Sequence, residues 1–332
     1  MIIRTAAYAR AGLIGNPSDG YFGKTISLIV RDFAARVTCF ETPRIAIHAR
    51  RRDQLEFDSI ADLADDVRLN GYYGGIRLIK ATVKRFHDYC VQRGIELDGR
   101  CFTLEYESDI PIRVGLAGSS AIVTATMRAL MTFYGIEIAK PIQPNLILSV
   151  ELDELGIGAG LQDRVIQVYE GVVFMDFDKQ KMETQGHGDY QPLPPQNLPP
   201  LFVAYDTHLA EGTEVTHNDL RVRFNRGDQE VHDAVVQWAA LAQQARDLIF
   251  AGKGDEIGPL LDANYDLRAR ICKLNPHHKK LVEIGRRHGV HAKYSGSGGA
   301  VIAAYDGDPQ RLARLTADYQ AIGAKVITPT IV

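Results

Sequence analysis

Cysteine is scarce in this chain of 332 residues, and none of the four is spaced for pairing. Cys39, Cys90, Cys101 and Cys272 form no CxxC, which argues against a thiolate zinc site and against a disulfide framework. No apolar run reaches the roughly 18 residues that a membrane-spanning helix needs. Arg4 and Arg10 interrupt the first apolar stretch, so no secretory signal is predicted. Charge of one sign is lacking as well. The formal balance is -3 and the pI about 6.4, without the electrostatic footprint of a nucleic-acid binder. The short basic runs Arg50-Arg51-Arg52 and His277-His278-Lys279-Lys280 read as solvated faces. There is no internal repeat and no low-complexity tract. These absences leave a cytoplasmic globular protein whose partner is a small molecule, not a nucleic acid or a membrane. No feature of the sequence specifies an oligomeric state.

The chain reads as mixed strand and helix without a regular βαβ rhythm, which predicts an α+β fold. Residues 1–40 suggest strands around a glycine-rich turn, with separate β-branched runs at Ile26–Val30 and Ala35–Phe40. Helical spacing begins near Ile76, Ile79, Val83 and Phe86 and should stop at Gly94. A second helix is expected from Ser119 or Ser120 to Tyr134, closed by Gly135, and a third from Pro144 to Leu155, closed by Gly156. The proline-rich stretch Gln185–Pro200 shows no periodicity and suggests a connector, dividing the chain into domains 1–195 and 196–332. Beyond it come a strand at Leu201–Tyr205 and helices near 229–251, 255–273 and 276–288.

Three loops carry chemistry. Gly115-Leu116-Ala117-Gly118-Ser119-Ser120-Ala121 feeds directly into a helix with one apolar face. Unpaired N–H groups and aligned peptide dipoles make such a helix start an anion receptor, and glycines let the backbone close on phosphate oxygens. Its serines suit a helix cap, a phosphate oxygen or a divalent cation. A P-loop is excluded, because Ser18 stands where GxxxxGK[ST] ahead of Gly23-Lys24-Thr25 requires glycine, and the 115–120 run contains no GxGxxG.

Glu151 and Asp163 flank the turn that contains Gly156, Gly158 and Gly160. Such a turn can bring both carboxylates to one cleft. Phosphoryl transfer needs a cation to offset phosphate charge and a group to orient the attacking hydroxyl. Glu151 is the candidate metal ligand, with Asp153 and Glu154 as neighbours of the same type, and Asp163 the candidate for gripping or deprotonating the acceptor. In the first loop, Asn16, Ser18 and Asp19 offer hydrogen bonds to vicinal hydroxyls. Arg10 can offset phosphate charge or organise Asp163. Near the other end, Tyr294-Ser295-Gly296-Ser297-Gly298-Gly299-Ala300 lets another backbone or a ligand approach closely.

Taken in order, these segments resemble the three motifs of the GHMP kinase superfamily, and most closely its glucuronokinase-like branch. The resemblance rests on the run from Tyr8 to Thr25, on Tyr72-Tyr73-Gly74-Gly75, on Pro111 to Ile122, on Gly160-Leu161-Gln162-Asp163-Arg164 and on Lys293 to Ala300. The phosphate loop is one residue longer than the family's commonest form, which leaves the register at Ser119 and Ser120 open, and Ser297 stands where alanine is common. The resemblance implies a ribosomal-protein-S5-like N-terminal domain and a ferredoxin-like C-terminal domain that contributes to the acceptor site. It implies ATP phosphates on Gly115, Ala117, Gly118, Ser119, Ser120 and Ala121, with Gly296 and Ser297 as further contacts. Mg²⁺ would sit on Ser119 or Ser120 and Glu151, Asp163 would face the reacting hydroxyl, Arg10 would lie near the transferred phosphate, and Asp19 would bind sugar hydroxyls. The branch implies D-glucuronate as acceptor, giving glucuronate 1-phosphate.

A uronic acid brings a carboxylate, for which an arginine is the natural receptor. Arg221 and Arg223 are the candidates, sharing a face if their segment is a strand but not if it is a helix. Phe57, Tyr72 and Tyr73 are candidate rings for adenine. Two other readings remain in play: a kinase acting on a neutral sugar, a heptose phosphate or another small alcohol, and a nucleotide-binding protein without catalysis.

Overall fold

The computed structural model describes residues 1–48, 74–206 and 214–331, with side chains from 219 onward in the last segment. Phe57, Tyr72, Tyr73 and the run Arg50-Arg51-Arg52 lie outside the described residues.

Two long strands dominate the N-terminal half. β1 (Ile2–Ile14) pairs antiparallel with β2 (Lys24–Thr42) from Ile2↔Phe40 to Ile14↔Ile26, with register shifts at Tyr8/Ala9 and Gly12/Ile14. The β-branched runs at 26–30 and 35–40 belong to one strand. No Gly or Pro separates them, and the polar residues between them have partners: Arg31 pairs with Glu170, and Asp32 accepts from the Thr330 N–H. β3 (Ala46–His48), β4 (Cys101–Ser108), β5 (Val172–Asp176) and β6 (Asp189–Pro192) complete a sheet ordered β3-β4-β2-β5-β6, with β1 also on β2. β6 falls inside the expected connector. It is an edge strand, where Pro192 costs no ladder bond and leaves no alternating signature.

Helices α1 (Gly75–Gln92) and α2 (Gly118–Tyr134) pack on each other, and α2 lies on β1 and β2. α2 is buried on most sides, from Ser120 and Ala121 through Val123, Met127 and Leu130 to Phe133, so its sequence is apolar nearly all round. Burying each large side chain of this kind contributes about 1.5–3 kcal/mol. Gly135 at φ 66° ends it as expected. The single helix expected over 144–155 is instead α3 (Gln143–Ser149) followed by a π-turn, Val150–Glu154. That widened turn carries Glu151 into the interior. α4 (Gln162–Tyr169) and α5 (Lys179–Gln185) follow.

The second sheet has the order β10-β7-β9-β8 and is antiparallel throughout: β7 (Leu201–Asp206), β8 (His291–Tyr294), β9 (Ala300–Ala304) and β10 (Ala324–Ile327). Its helices are α6 (Glu214–Asn225), α7 (Gln229–Phe250), α8 (Gly258–Ile271), α9 (Pro276–Arg287) and α10 (Pro309–Ala321). Asp228, Asn275 and Asp308 cap α7, α9 and α10 by accepting backbone N–H bonds. The α+β class holds. One apolar cluster runs from Leu13, Leu28 and Leu130 of the first half to Val203 and Ile302 of the second sheet. Among the described residues no helix is long and apolar enough to cross a membrane.

Candidate active site

The three loops meet at the end of the β1–β2 pair. Gly12 lies at the second register shift of β1, and its N–H donates to the Ser295 carbonyl at 2.8 Å. A side chain on Gly12 would stand 2.7 Å from that same oxygen, so only glycine permits the approach. The 115 and 296 loops are equally close: a Cβ on Gly296 would overlap the Gly115 carbonyl, and one on Gly115 (φ 75°) would stand 2.9 Å from the Gly298 oxygen. These glycines are required because backbone meets backbone.

Arg10 ties all three together. Nearly buried, it donates from Nε to Asp163 Oδ1 at 2.6 Å and from Nη1 to the carbonyls of Gly115 (2.6 Å) and Ser295 (3.0 Å). Of the two roles the sequence allowed it, the geometry shows the organisation of Asp163.

α2 begins without a side-chain cap, and Ala117 before it adopts a left-handed conformation (φ 62°). For an alanine that conformation costs roughly 1–2 kcal/mol. It is held by three bonds to the Ala117 carbonyl, from Gln167 Nε2 at 2.9 Å and from Ser120 Oγ and the Ala121 N–H, both at 3.2 Å. The two serines therefore part ways. Ser120 is buried and spends its hydroxyl on Ala117, whereas the half-buried Ser119 donates to Glu151 Oε1 at 2.7 Å. Of the two serines left open as metal ligands, only Ser119 lies beside Glu151, while the Ser120 side chain faces into the protein.

Glu151 is buried, with Arg164 Nη2 on its other oxygen, Oε2. Arg164 also donates to the Gly160 carbonyl at 2.9 Å and comes within 3.6 Å of Asp163 Oδ2. Burial alone would lower the Arg164 guanidinium, but Glu151 and Asp163 outweigh it and hold it above its ordinary value. Asp153 and Glu154, the neighbours of Glu151, point to Arg85 and Lys84 instead. Among the described residues no group of three or more His, Cys, Asp and Glu side chains gathers as a closed metal site.

In the first loop only Asp19 faces the same space. Its Oδ2 accepts from the Gln162 N–H at 3.3 Å, and it lies so close to Gly160 that a Cβ there would overlap it. Burial, then the charge of Asp163, push its carboxyl up to about 6. Asn16 and Ser18 do not join it. Asn16 Oδ1 accepts from Lys293 Nζ at 2.5 Å, and Ser18 Oγ donates to the Lys24 carbonyl at 2.9 Å, both side chains being buried. They shape the loop; the expectation that they meet substrate hydroxyls is corrected.

Arg221 and Arg223 lie on helix α6, so the shared strand face does not exist. Arg223 is taken up by Asp228 (2.7 Å), Glu230 (2.9 Å) and the Ile271 carbonyl (2.8 Å). Arg221 is exposed and reaches back to the first loop, where its Nη2 lies 3.7 Å from the position of a Cβ on Gly20. Three further residues at the site escaped the sequence reading: Lys293, Asn264 and Arg268. Lys293 belonged to a recognised motif. The other two sit in a helix with no distinguishing pattern, and only the fold brings them to the loops.

Models of the GHMP kinases N terminal domain and the GHMP kinases C terminal domain match residues 77–171 and 245–319. Glucuronokinase 1 of Arabidopsis thaliana is 38% identical over 328 residues, covering 97% of this chain and 90% of that protein. Probable glucuronokinase 2 of the same plant is 40% identical over 304 residues, covering 89% and 82%. The crystal structure of Lactococcus lactis galactokinase complexed with galactose superposes with a TM-score of 0.78 over 99% of this chain and 93% of its own, at 15% identity, a likeness of fold alone.

Proposed function

The chain belongs to the GHMP kinases, and from that membership we propose that it transfers the γ-phosphoryl group of ATP to the anomeric hydroxyl of D-glucuronate. The observation that carries the chemistry is the Arg10–Asp163 pair, placed where the glycine loop and the helix start converge. Two glucuronokinases at 38% and 40% identity supply the acceptor.

The uncapped start of α2, with Gly115, Ala117, Gly118, Ser119 and Ala121, is the receptor for the phosphates, and Gly296 and Ser297 close it from the opposite side. Hard oxygen donors at Ser119 Oγ and Glu151 Oε1 suit Mg²⁺, which takes one or two protein oxygens and completes its shell with phosphate and water. When bound, the ion offsets charge on the triphosphate.

Asp163 orients the anomeric O–H and takes its proton. The acceptor oxygen forms a bond to the γ-phosphorus as the bond to the β–γ bridging oxygen breaks, and ADP leaves with that electron pair. Arg10 keeps the Asp163 carboxylate fixed, so the acceptor is met by a group already in place. Asp19 grips sugar hydroxyls, and Arg221 at the rim of the first loop receives the uronate carboxylate. All four cysteines are free, which fits the reducing interior of the cytoplasm.

A coupled ADP-release assay with glucuronate beside galactose, galacturonate and mevalonate tests the acceptor. Glucuronate should give the highest kcat/KM. A neutral sugar in first place would move the assignment to another sugar, and ADP release unaffected by any acceptor would leave a nucleotide-binding protein.

A further inference from the structure

Behind the loop at residues 295–299 stand three buried basic side chains, of which Lys293 is pushed well below its ordinary value by burial and by Arg268 and Arg10. Arg10 is paired with Asp163, but among the described residues neither Arg268 nor Lys293 forms an ion pair with an acidic side chain. They hold carbonyls instead. Arg268 donates from Nη1 to Gly296 at 2.6 Å and from Nη2 to Ser297 at 3.2 Å. Lys293 Nζ donates to the Gly12 and Tyr294 carbonyls at 2.8 and 2.7 Å and to Asn16 Oδ1 at 2.5 Å. Burying the Arg268 guanidinium without a counter-charge is costly, so such a group is expected where its field is used.

The direction of the peptides shows what that use is. In a trans peptide the N–H points opposite the C=O. With the Gly296 and Ser297 carbonyls drawn back onto Arg268, the N–H groups of Ser297 and Gly298 turn the other way. The Ser297 nitrogen accordingly lies 3.2 Å from where a Cβ on Gly115 would be, on the side of the phosphate loop. Successive N–H groups presented in this way, with positive charge behind them, form an anion receptor.

One turn before Arg268 on α8, Asn264 does the same for the first loop. Its Oδ1 accepts from the Gly15 N–H at 2.6 Å and its Nδ2 donates to the Asn16 carbonyl at 3.1 Å. Trp238 Nε1 donates to the Asn264 carbonyl at 3.2 Å and fixes that turn of the helix. Residues four apart on a helix share a face, so a single rigid element grips both loops.

Resting on the phosphate-transfer reading of this site, we propose that Asn264 and Arg268 are positioning residues for the reaction. Arg268 orients the Ser297 and Gly298 N–H groups toward the phosphates, and Asn264 sets the loop that carries Asp19 against the acceptor. The two prongs act on different substrates, which a general structural role would not do.

The test compares Arg268→Gln, Arg268→Lys and Asn264→Ala with the wild-type protein by three measurements: titration with a fluorescent ATP analogue, steady-state kinetics with glucuronate, and melting temperature without ligand. Arg268→Gln should weaken nucleotide binding or lower kcat by about tenfold to a hundredfold while glucuronate KM moves less than about twofold. Arg268→Lys should recover part of that loss, since an ammonium reaches one carbonyl but not both. Asn264→Ala should raise glucuronate KM about tenfold and leave the nucleotide affinity in place. Parallel changes in both substrates' constants, or a fall in melting temperature with no kinetic split, would overturn the proposal. If Arg268→Gln does not fold, Arg268→Lys decides alone, and wild-type nucleotide affinity there would also overturn it. The nucleotide titration needs no acceptor. A wild-type protein that binds ATP but ignores glucuronate therefore refutes the choice of acceptor, while the ratio of variant to wild type judges the clamp.

Discussion

Arg10 and Asp163 lie 153 positions apart in the chain, and their side chains meet at 2.6 Å, Nε donating to Oδ1. The same guanidinium holds the Gly115 and Ser295 carbonyls, so one residue sets the carboxylate and both glycine loops. Replacing Asp163 with Asn removes the proposed proton acceptor but keeps the shape. Turnover should fall by about a hundredfold to ten-thousandfold, with ATP affinity nearly unchanged. Single-turnover kinetics beside an equilibrium nucleotide titration separates the two, and unchanged turnover would remove Asp163 from the chemistry.

Asp19 supplies a pH dependence with a definite sign. Its carboxyl is pushed up from 3.8 to about 6, first by burial and then by Asp163. The folded protein thus binds this proton more tightly than the unfolded chain does. Between pH 3.8 and about 6 the group's contribution to stability declines as pH rises, and above 6 the loss is complete. Asp19→Asn should therefore melt higher than the wild type at pH 8, with the gap opening between pH 4 and 6 and then levelling. Glucuronate KM should rise, because an amide is a poorer acceptor for sugar hydroxyls. Paired thermal melts from pH 4 to 8 check the sign, and a gap that closes with rising pH would contradict it.

Ser119 and Ser120 are adjacent but not equivalent, since one meets Glu151 and the other its own helix start. Ser119→Ala should raise the magnesium concentration for half-maximal rate by about tenfold or more. Ser120→Ala should leave the magnesium curve in place and cost about 1 kcal/mol of stability. Magnesium titrations at saturating ATP, with urea melts alongside, distinguish them.

Arg221 and Arg223 divide in the same way. Arg221→Gln should raise glucuronate KM by about tenfold to a hundredfold, the worth of a hydrogen bond to a charged group. Arg223→Gln breaks its contacts to Asp228, Glu230 and the Ile271 carbonyl, and should lower stability without a selective effect on glucuronate. Equal effects of the two variants on KM would remove Arg221 from the carboxylate site.

In the sequence the loops are more legible than the roles of their side chains. Gly115 and Gly296 are legible because close backbone approach demands glycine there, whereas Gly156 carries a left-handed backbone (φ 65°) and Gly160 makes room for the Asp19 carboxylate. The approach of Glu151 and Asp163 to one another is legible in the glycine turn between them, and in the fold both carboxylates meet Arg164. Asn16 and Ser18 misled, since a polar residue in a loop looks the same whether it faces a ligand or, as here, Lys293 and the Lys24 carbonyl. The π-turn at Val150–Glu154 left no trace in a periodic pattern, and neither did the edge strand Asp189–Pro192. Asn264 and Arg268 were invisible for a different reason: their partners lie far away in the chain, at Gly15, Asn16, Gly296 and Ser297, and only the assembled fold makes them neighbours.

Phosphorus NMR of the product tests the central claim most directly. With ATP, Mg²⁺ and D-glucuronate, a new phosphomonoester signal coupled to the anomeric proton should grow in step with ADP. A signal coupled to any other ring proton, or ADP formed while glucuronate stays intact, would contradict transfer to the anomeric hydroxyl.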